Sequence, residues 1–166
     1  MKKFATLLAA AAICAPLAAK AQDFPTGNVT MVVPFSAGGS NDTIGRYLAE
    51  KLGEAWGQTL VVENKPGAGA AVGANYVVRS EPDGHTLLFV SGTLTTTGAT
   101  RRNLTFDPVT DLQPVGIGAF GKMLIVTSTE RGLTSLDDVV AKAKNEAVFY
   151  GTTGVGSITQ FAAEVF

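Results

Sequence analysis

The sequence has 166 residues and contains very little cysteine, histidine or charge. Its one cysteine, Cys14, lies in an N-terminal apolar run that we expect to be removed. This excludes disulfides, thiolate nucleophiles and cysteine-based metal sites from the rest of the chain. The one histidine, His85, excludes a zinc site built on a histidine pair, and the scattered acids lack the spacing of a calcium loop. No run of lysine and arginine interleaved with aromatic residues occurs, so we expect no nucleic-acid partner.

The first 21 residues have the pattern of a secretory signal peptide. Two lysines precede an apolar run over residues 4–19, and Ala19-Lys20-Ala21 predicts cleavage after Ala21. The run contains Pro16 and is shorter than the roughly 20 residues that a spanning helix needs, which makes a retained membrane anchor the weaker alternative. Loss of the signal's lysines makes the chain more acidic than the formal charge of −1 of the whole sequence. An exported, acidic chain without cysteine fits a periplasmic binding protein or a secreted hydrolase.

After the signal, strand and helix patterns alternate. Val29–Pro34 is an apolar, β-branched run of the kind found in strands buried on both faces. Apolar residues then recur at helical spacing from Ile44 to Trp56, with Ser40 as the predicted N-cap and Gly57 as the stop. A strand, a helix and a strand follow at Leu60–Glu63, Ala70–Arg79 and Thr86–Val90. The alternation predicts an α/β fold with a parallel sheet and helices on both faces.

The second half of the chain loses this rhythm. We predict Ser91–Pro114, rich in Thr, Asn, Asp and Pro, to be a long connection between two lobes. A capping box at Thr134–Asp138 predicts a short helix through about Lys144. Three strands and a last helix are predicted at Val115–Ala119, Met123–Thr127, Val148–Tyr150 and Ile158–Phe166. Because the apolar spacing continues to Phe166, we interpret the chain as a truncated product: a signal at 1–21, an incomplete first lobe at 22–114 and the start of a second lobe at 115–166.

Two loops rich in Gly, Ser and Thr are candidate anion sites. Pro34–Asp42 and Gly151–Ser157 each follow a predicted buried strand and precede a predicted helix, so free backbone N–H groups and the positive end of a helix dipole would face one point. A helix terminus alone contributes about 0.3–1 kcal/mol when exposed, so several donors must converge. Neither loop contains Lys or Arg, and the remaining donors are backbone N–H groups and the hydroxyls of Ser36, Ser40, Thr152, Thr153 and Ser157. The alternative is a pair of ordinary turns.

Three other features have both a functional and a structural interpretation. Asp42 suits the first turn of a helix, but beside an anion site it would also pair with an ammonium group and favour amino or hydroxy acids. Gly67–Gly73 is similar to a dinucleotide fingerprint, although close packing of a helix on the sheet explains the glycines, and we expect no cofactor. His85 beside a serine of either loop would make a secreted serine hydrolase; a solvated turn residue is the simpler interpretation.

Five segments match the motifs of one known family, in order and at matching intervals: Met31–Gly39 with Asp42 and Arg46, Val62–Gly69, Pro82–Leu88, Phe106–Pro114 and Tyr150–Ser157. In these segments the chain resembles the Bug-type, or tripartite tricarboxylate transporter, substrate-binding receptors of bacterial periplasm. The match is looser from Lys122 to Lys144, and Asn145-Glu146 replaces the Pro-Gly that often precedes the next strand.

The resemblance implies a type II periplasmic-binding-protein fold, longer than this chain, whose two lobes close on a small carboxylate-bearing ligand and deliver it to a membrane permease. It also implies that two loops bracket one ligand carboxylate, partly through waters. We therefore expect a monomeric receptor, not an enzyme, that binds an organic acid or amino acid, weakened here by truncation. The expected ligand-binding residues are Phe35, Ser36, Ala37, Gly38, Gly39, Ser40, Asp42, Ser91, Thr152, Thr153, Gly154, Val155, Gly156 and Ser157.

Overall fold

The computed structural model describes residues 24–166 of the chain. The predicted signal peptide, its cleavage site and Cys14 therefore lie outside the described residues. Within residues 24–166, no helix is long and apolar enough to cross a membrane.

A parallel three-stranded sheet forms the centre of the fold. Its strands are β1 (Val29–Val33), β2 (Leu60–Asn64) and β3 (Thr86–Leu88), in the order β2-β1-β3. Both neighbours of β1 are parallel to it, with Val29 opposite Leu60 and Thr30 opposite Thr86. The apolar residues of β1 are buried because the strand has a neighbour on each side and a helix on each face. The predicted parallel sheet is confirmed.

The first two helices cover opposite faces of the sheet. Helix α1 (Ser40–Trp56) follows β1, and a Cβ placed on its Gly45 would meet Val33 and Phe89. Helix α2 (Ala71–Val78) follows β2 and packs against Leu88. Since Leu88 and Phe89 are consecutive and extended, their side chains point to opposite faces, which places the two helices on opposite sides of the sheet.

The ends of α1 differ slightly from the prediction. Its N-cap is Gly39 rather than Ser40, which becomes the first helical residue. Gly57 ends the helix as predicted, with a left-handed conformation (φ 65°) and its N–H bonded to the carbonyl of Gly53.

A third helix, α3 (Thr93–Thr100), lies inside the stretch predicted to be an irregular connection, so that prediction is wrong there. Threonine dominates this helix, and β-branched residues favour strands over helices. Thr93, Thr96 and Thr97 are buried, and the hydroxyls of Thr96 and Thr100 donate to the carbonyls of Thr93 and Thr96 at 3.0 and 2.7 Å. Burial of threonine side chains whose hydroxyls are hydrogen-bonded outweighs the weak intrinsic preference of threonine for a helix.

The second half contains helices α4 (Leu136–Asn145) and α5 (Ile158–Val165) and a 3₁₀ turn at Thr129–Arg131. The predicted capping box is confirmed: the Ser135 hydroxyl accepts from the N–H of Asp138, whose carboxylate accepts from the N–H of Ser135. The last helix is also confirmed, with Ser157 as its N-cap.

The three strands predicted in this half are wrong for this structure. Residues 115–127 and 148–150 have no strand assignment, and their apolar side chains are exposed: 88% for Val115, 90% for Phe120 and 94% for Phe149. A strand requires hydrogen bonds from a neighbouring strand, and within residues 24–166 these segments pair with none. The apolar runs predicted that these segments are buried, but within residues 24–166 they are exposed.

Close packing at Gly73 fixes the distance between α2 and the sheet. A Cβ at this position would lie 2.7 Å from the Cβ of Pro34 and 3.0 Å from the carbonyl oxygen of Lys65. Neither is the end of a flexible side chain, so the helix would have to move away from the sheet.

We predict that Gly73→Ala lowers the free energy of unfolding by about 1–3 kcal/mol because it overpacks this contact. Gly27→Ala is the matched control, since a Cβ there meets nothing within 4 Å. Urea unfolding of both variants measures the difference. A Gly73 variant as stable as the Gly27 control would show that the helix is free to shift.

Candidate functional site

The first candidate loop lies at the carboxyl edge of the sheet, where it connects β1 to α1. Phe35 is half-buried, whereas the residues from Ser36 to Ser40 are exposed. Gly38 adopts φ 82°, a conformation that a side chain would strain. The backbone N–H groups of Ser40, Asn41 and Asp42 lie in the first turn of α1, where no intrahelical acceptor exists. The loop therefore presents a set of free donors at the positive end of a 17-residue helix.

The Asp42 carboxylate holds this loop in place. Only 4% of Asp42 is exposed, and its Oδ2 accepts from the N–H of Gly38 at 2.8 Å and from Nε of Arg46 at 3.1 Å. Its Oδ1 accepts from Nδ2 of Asn64 at 2.9 Å and lies 3.0 Å from Nη2 of Arg46. The Asn64 amide also donates to the carbonyl of Phe35 at 3.0 Å. One carboxylate thus links the loop, α1 and the end of β2.

This network changes the interpretation of Asp42. Both carboxylate oxygens have partners within the chain, so the structure does not support the hypothesis that Asp42 pairs with a ligand ammonium group. The hydrogen bond from the Arg46 side chain, followed by those from Gly38 and Asn64, lowers the pKa of Asp42 from 3.8 to about 2. The carboxylate is therefore ionised at neutral pH, and the adjacent guanidinium offsets its repulsion of a nearby anion.

The second candidate loop satisfies most of its own donors. The N–H groups of Thr153 and Gly156 donate to the side chains of Thr159 and Gln160 at 3.1 and 2.8 Å. The N–H of Gly154 donates to the Thr152 hydroxyl at 3.3 Å. Within residues 24–166, the N–H groups of Gly151, Thr152 and Val155 have no hydrogen-bond acceptor. This loop thus offers fewer free donors than its glycine content predicted, because polar side chains of the following helix accept from it.

Helix α3 contacts the second loop through the hydroxyl groups of its threonines. The Thr96 hydroxyl lies 2.9 Å from the carbonyl of Gly156, and the Thr93 hydroxyl accepts from the N–H of Ile158 at 3.3 Å. The Thr97 hydroxyl donates to the carbonyl of Gly69 at 2.7 Å. These threonines were not among the predicted site residues. The sequence signal that could have identified them is the high frequency of threonine in a stretch that was predicted to be a loop, because clustered hydroxyl groups indicate hydrogen bonds to other segments.

The first loop lies at the carboxyl edge of the sheet, and α3 brings the second loop to the same edge. Ser91, another predicted site residue, follows β3, and its hydroxyl contacts the N–H and the hydroxyl of Thr93 at 3.4 and 3.2 Å. Since β1 and β3 are parallel neighbours, Ser91 and the first loop lie at the same edge. The second loop reaches that edge through Ile158 and α3, but no hydrogen bond in residues 24–166 joins the two loops directly.

The run Gly67–Gly73 has a structural explanation. Gly67 and Gly69 have φ 134° and 60°, and Ala68 and Ala70 also have positive φ, so the run forms a tight turn into α2. A Cβ at Gly69 would lie 2.9 Å from the Thr97 hydroxyl. The turn and the packing of Gly73 on Pro34 account for the glycines of the dinucleotide-like pattern.

His85 lies at the opposite edge from the candidate loops. It directly precedes β3, its N–H donates to Asp83 at 2.8 Å, and its ring packs edge-on against Phe24 at 5.3 Å. Ser36 and Ser40 follow the far end of β1, a strand of five residues that is about 13 Å long. His85 therefore cannot activate either serine. Among residues 24–166, no group of three or more His, Cys, Asp or Glu side chains is arranged to hold a metal ion.

Comparison with known proteins places the chain in a family of transport receptors. The model of the family described as tripartite tricarboxylate transporter family receptor matches residues 44–166, and the chain belongs to this family. A UPF0065 protein from the TAR-I ttuE-ttuC' intergenic region of Agrobacterium vitis is 35% identical over 166 residues, which is 98% of this chain and 48% of that protein. Protein BugT of Bordetella pertussis is 33% identical over 163 residues, 96% of this chain and 49% of BugT. The chain spans about half the length of these curated relatives.

Solved structures confirm the fold class. R. palustris Rpa4515 with adipate matches 86% of this chain and 48% of its own, with a TM-score of 0.72 and 29% sequence identity. The periplasmic binding protein BugD matches 56% of this chain and 31% of its own, with a TM-score of 0.54 and 41% identity. The fold is thus that of a periplasmic binding protein. Membership of a receptor family confirms the expectation that the chain is not an enzyme, and the serine hydrolase alternative is wrong.

We predict that Asp42→Asn lowers the melting temperature at neutral pH but not near pH 2. A folded-state pKa below the unfolded value means that the carboxylate stabilises the fold fully above the unfolded pKa, and that this contribution is lost as pH falls through the folded pKa. The gap between wild type and variant should therefore close between about pH 5 and pH 2.

Thermal unfolding followed by circular dichroism over this pH range measures the gap. Glu81→Gln is the control, because that exposed carboxylate has no hydrogen bond or ion pair in the part of the chain described. A gap for Asp42→Asn that stays constant with pH would mean that the charge of Asp42 does not hold the loop.

Proposed function

We propose that this chain is a periplasmic solute receptor that binds the carboxylate of a small organic acid or amino acid at the loops Phe35–Asp42 and Thr152–Ser157. The observation that carries the proposal is the row of free N–H groups at Ser40, Asn41 and Asp42, held open by the Asp42 network. Backbone donors at a helix N-terminus suit a carboxylate because they need no positively charged side chain. The signal-like N-terminus and the periplasmic relative BugD support the location.

The hydrogen bonds within each loop determine which donors that loop can offer to a ligand. The first loop supplies most of the free backbone donors, and the second loop supplies the N–H groups of Thr152 and Val155 and the exposed Thr152 hydroxyl. Binding at both loops would link the segment before residue 115 to the segment after it. We assign these segments, 22–114 and 115–166, to two lobes whose closure on the ligand favours the closed state by its differential affinity.

Delivery to a membrane permease of the tripartite tricarboxylate type completes the proposal. Family membership supports this partner class, and the adipate bound by the R. palustris relative supports a small carboxylate as ligand.

Ser40→Pro tests the role of the backbone donors. Proline at the first helical position keeps the helix but removes one N–H, and the extended Gly39 before it (ψ 170°) tolerates a following proline. We expect the Kd for adipate to rise about tenfold or more, since a hydrogen bond to a charged group contributes about 1.5–3 kcal/mol.

Isothermal titration with adipate, its amino analogue and other dicarboxylates provides the measurement. Ser40→Ala is the matched control, because it removes the hydroxyl and keeps the N–H, and its Kd should change much less. Equal affinity of wild type and Ser40→Pro would contradict the proposed site. Absence of binding across the panel would contradict the proposed function.

A further inference from the structure

A surface cavity of about 410 Å³ lies between α2 and the segment 101–106, outside both candidate loops. Its apolar lining includes Ala71 and Phe106, which are buried members of the hydrophobic cluster next to the sheet. Its polar lining includes Asn75, Arg101 and Arg102. Two adjacent arginines and an apolar surface therefore line one space that is large enough for a small molecule.

The charges of this cavity are not balanced. No aspartate or glutamate lines it, and within residues 24–166 neither Arg101 nor Arg102 forms an ion pair. Arg46 differs, because it pairs with the buried Asp42. The neighbouring cavity of about 480 Å³ shares both arginines but also includes Asp107, whose carboxylate opposes an anion. The cavity beside α2 is thus the more favourable of the two for negative charge.

Arg101 lines the cavity but is engaged with the second loop. Its Nη2 donates to the carbonyl of Val155 at 3.3 Å, and its buried Nε lies beside Gly156, so Arg101 contributes charge to the cavity rather than a free set of donors. A guanidinium carries five N–H donors in a planar fork that matches a carboxylate. Arg102 is exposed and makes no hydrogen bond in the described residues, so its whole fork is available.

We propose that this cavity is a second anion site, which binds a small organic carboxylate whose apolar body packs on Ala71 and Phe106 and whose charge pairs with Arg102, next to the charge of Arg101. The site does not rest on the proposed function, since none of these residues belongs to the two candidate loops. The mixed lining selects for an amphipathic anion over an inorganic one, because a bare ion gains nothing from the apolar surface.

Titration of the full chain with benzoate tests the site. Two-dimensional ¹H–¹⁵N NMR should show shifts at the side-chain amides of Asn75 and Asn103 and at the Arg102 Nε. The Arg102→Gln variant should raise the benzoate Kd about tenfold, the effect of losing one charged hydrogen bond. Arg102→Lys should lose less, because it keeps the charge but not the fork. Arg102 is preferred to Arg101 for substitution because Arg101 also contacts the second loop.

Arg131→Gln is the matched control, since it removes the same charge from an exposed turn outside the cavity. The proposal predicts that this control binds benzoate like the wild type. Three results would overturn it: equal benzoate affinity in wild type and Arg102→Gln, equal weakening in Arg102→Gln and Arg131→Gln, or shifts confined to the loop Phe35–Asp42. The last result would assign benzoate to the first loop alone.

Discussion

The contact between the Asp42 carboxylate and its four donor groups is the interaction on which the candidate site depends. It joins the first turn of α1 to Gly38 in the loop, to Arg46 one helical turn later and to Asn64 at the end of β2. Besides Asp42, the only side chain in residues 24–166 that forms a hydrogen bond to the backbone of this loop is Asn64, which donates to the carbonyl of Phe35. Because the carboxylate is buried and ionised, the loop keeps one conformation in which the first N–H groups of α1 stay free. The Asp42 carboxylate therefore helps to form a site for a ligand carboxylate. The positive charge of Arg46 offsets the repulsion between these two negative groups.

A second constraint acts on the other loop through hydroxyl groups. Thr93, Thr96 and Thr97 of α3 contact Ile158, Gly156 and Gly69, so one short helix positions two loops. Each threonine hydroxyl has only one hydrogen to donate, and the 2.7 Å contact of Thr97 with Gly69 takes precedence over its 3.4 Å contact with Gly156. The Thr96 hydroxyl has two acceptors at nearly equal distance, the carbonyl of Gly156 at 2.9 Å and that of Thr93 at 3.0 Å, so it divides its one hydrogen between the second loop and its own helix. Both loops are held by polar side chains, which gives directional control that apolar packing lacks.

The sequence predicted those parts of the fold that depend on nearby residues. The β1-α1-β2-α2-β3 order, the Gly57 stop and the Ser135 capping box follow from periodicity and local hydrogen bonds. Helix α3 was missed because the partners of its threonines lie far along the chain, at Gly69 and Gly156. The strands expected near Val115 and Val148 are absent because apolar composition indicates a preference for burial but does not supply a pairing strand. The loop positions were predictable from glycine content, whereas the direction of the Asp42 side chain depends on Asn64, which only the folded chain brings near.

The central claim is that the two loops bind one carboxylate through backbone donors. The most direct measurement is a ¹H–¹⁵N NMR titration of the full chain with adipate, observed at the amides of both loops. The claim predicts that the amides of Ser40, Asn41 and Asp42 and that of Val155 shift together and give one Kd. Shifts restricted to one loop, or two different Kd values for the two loops, would contradict it.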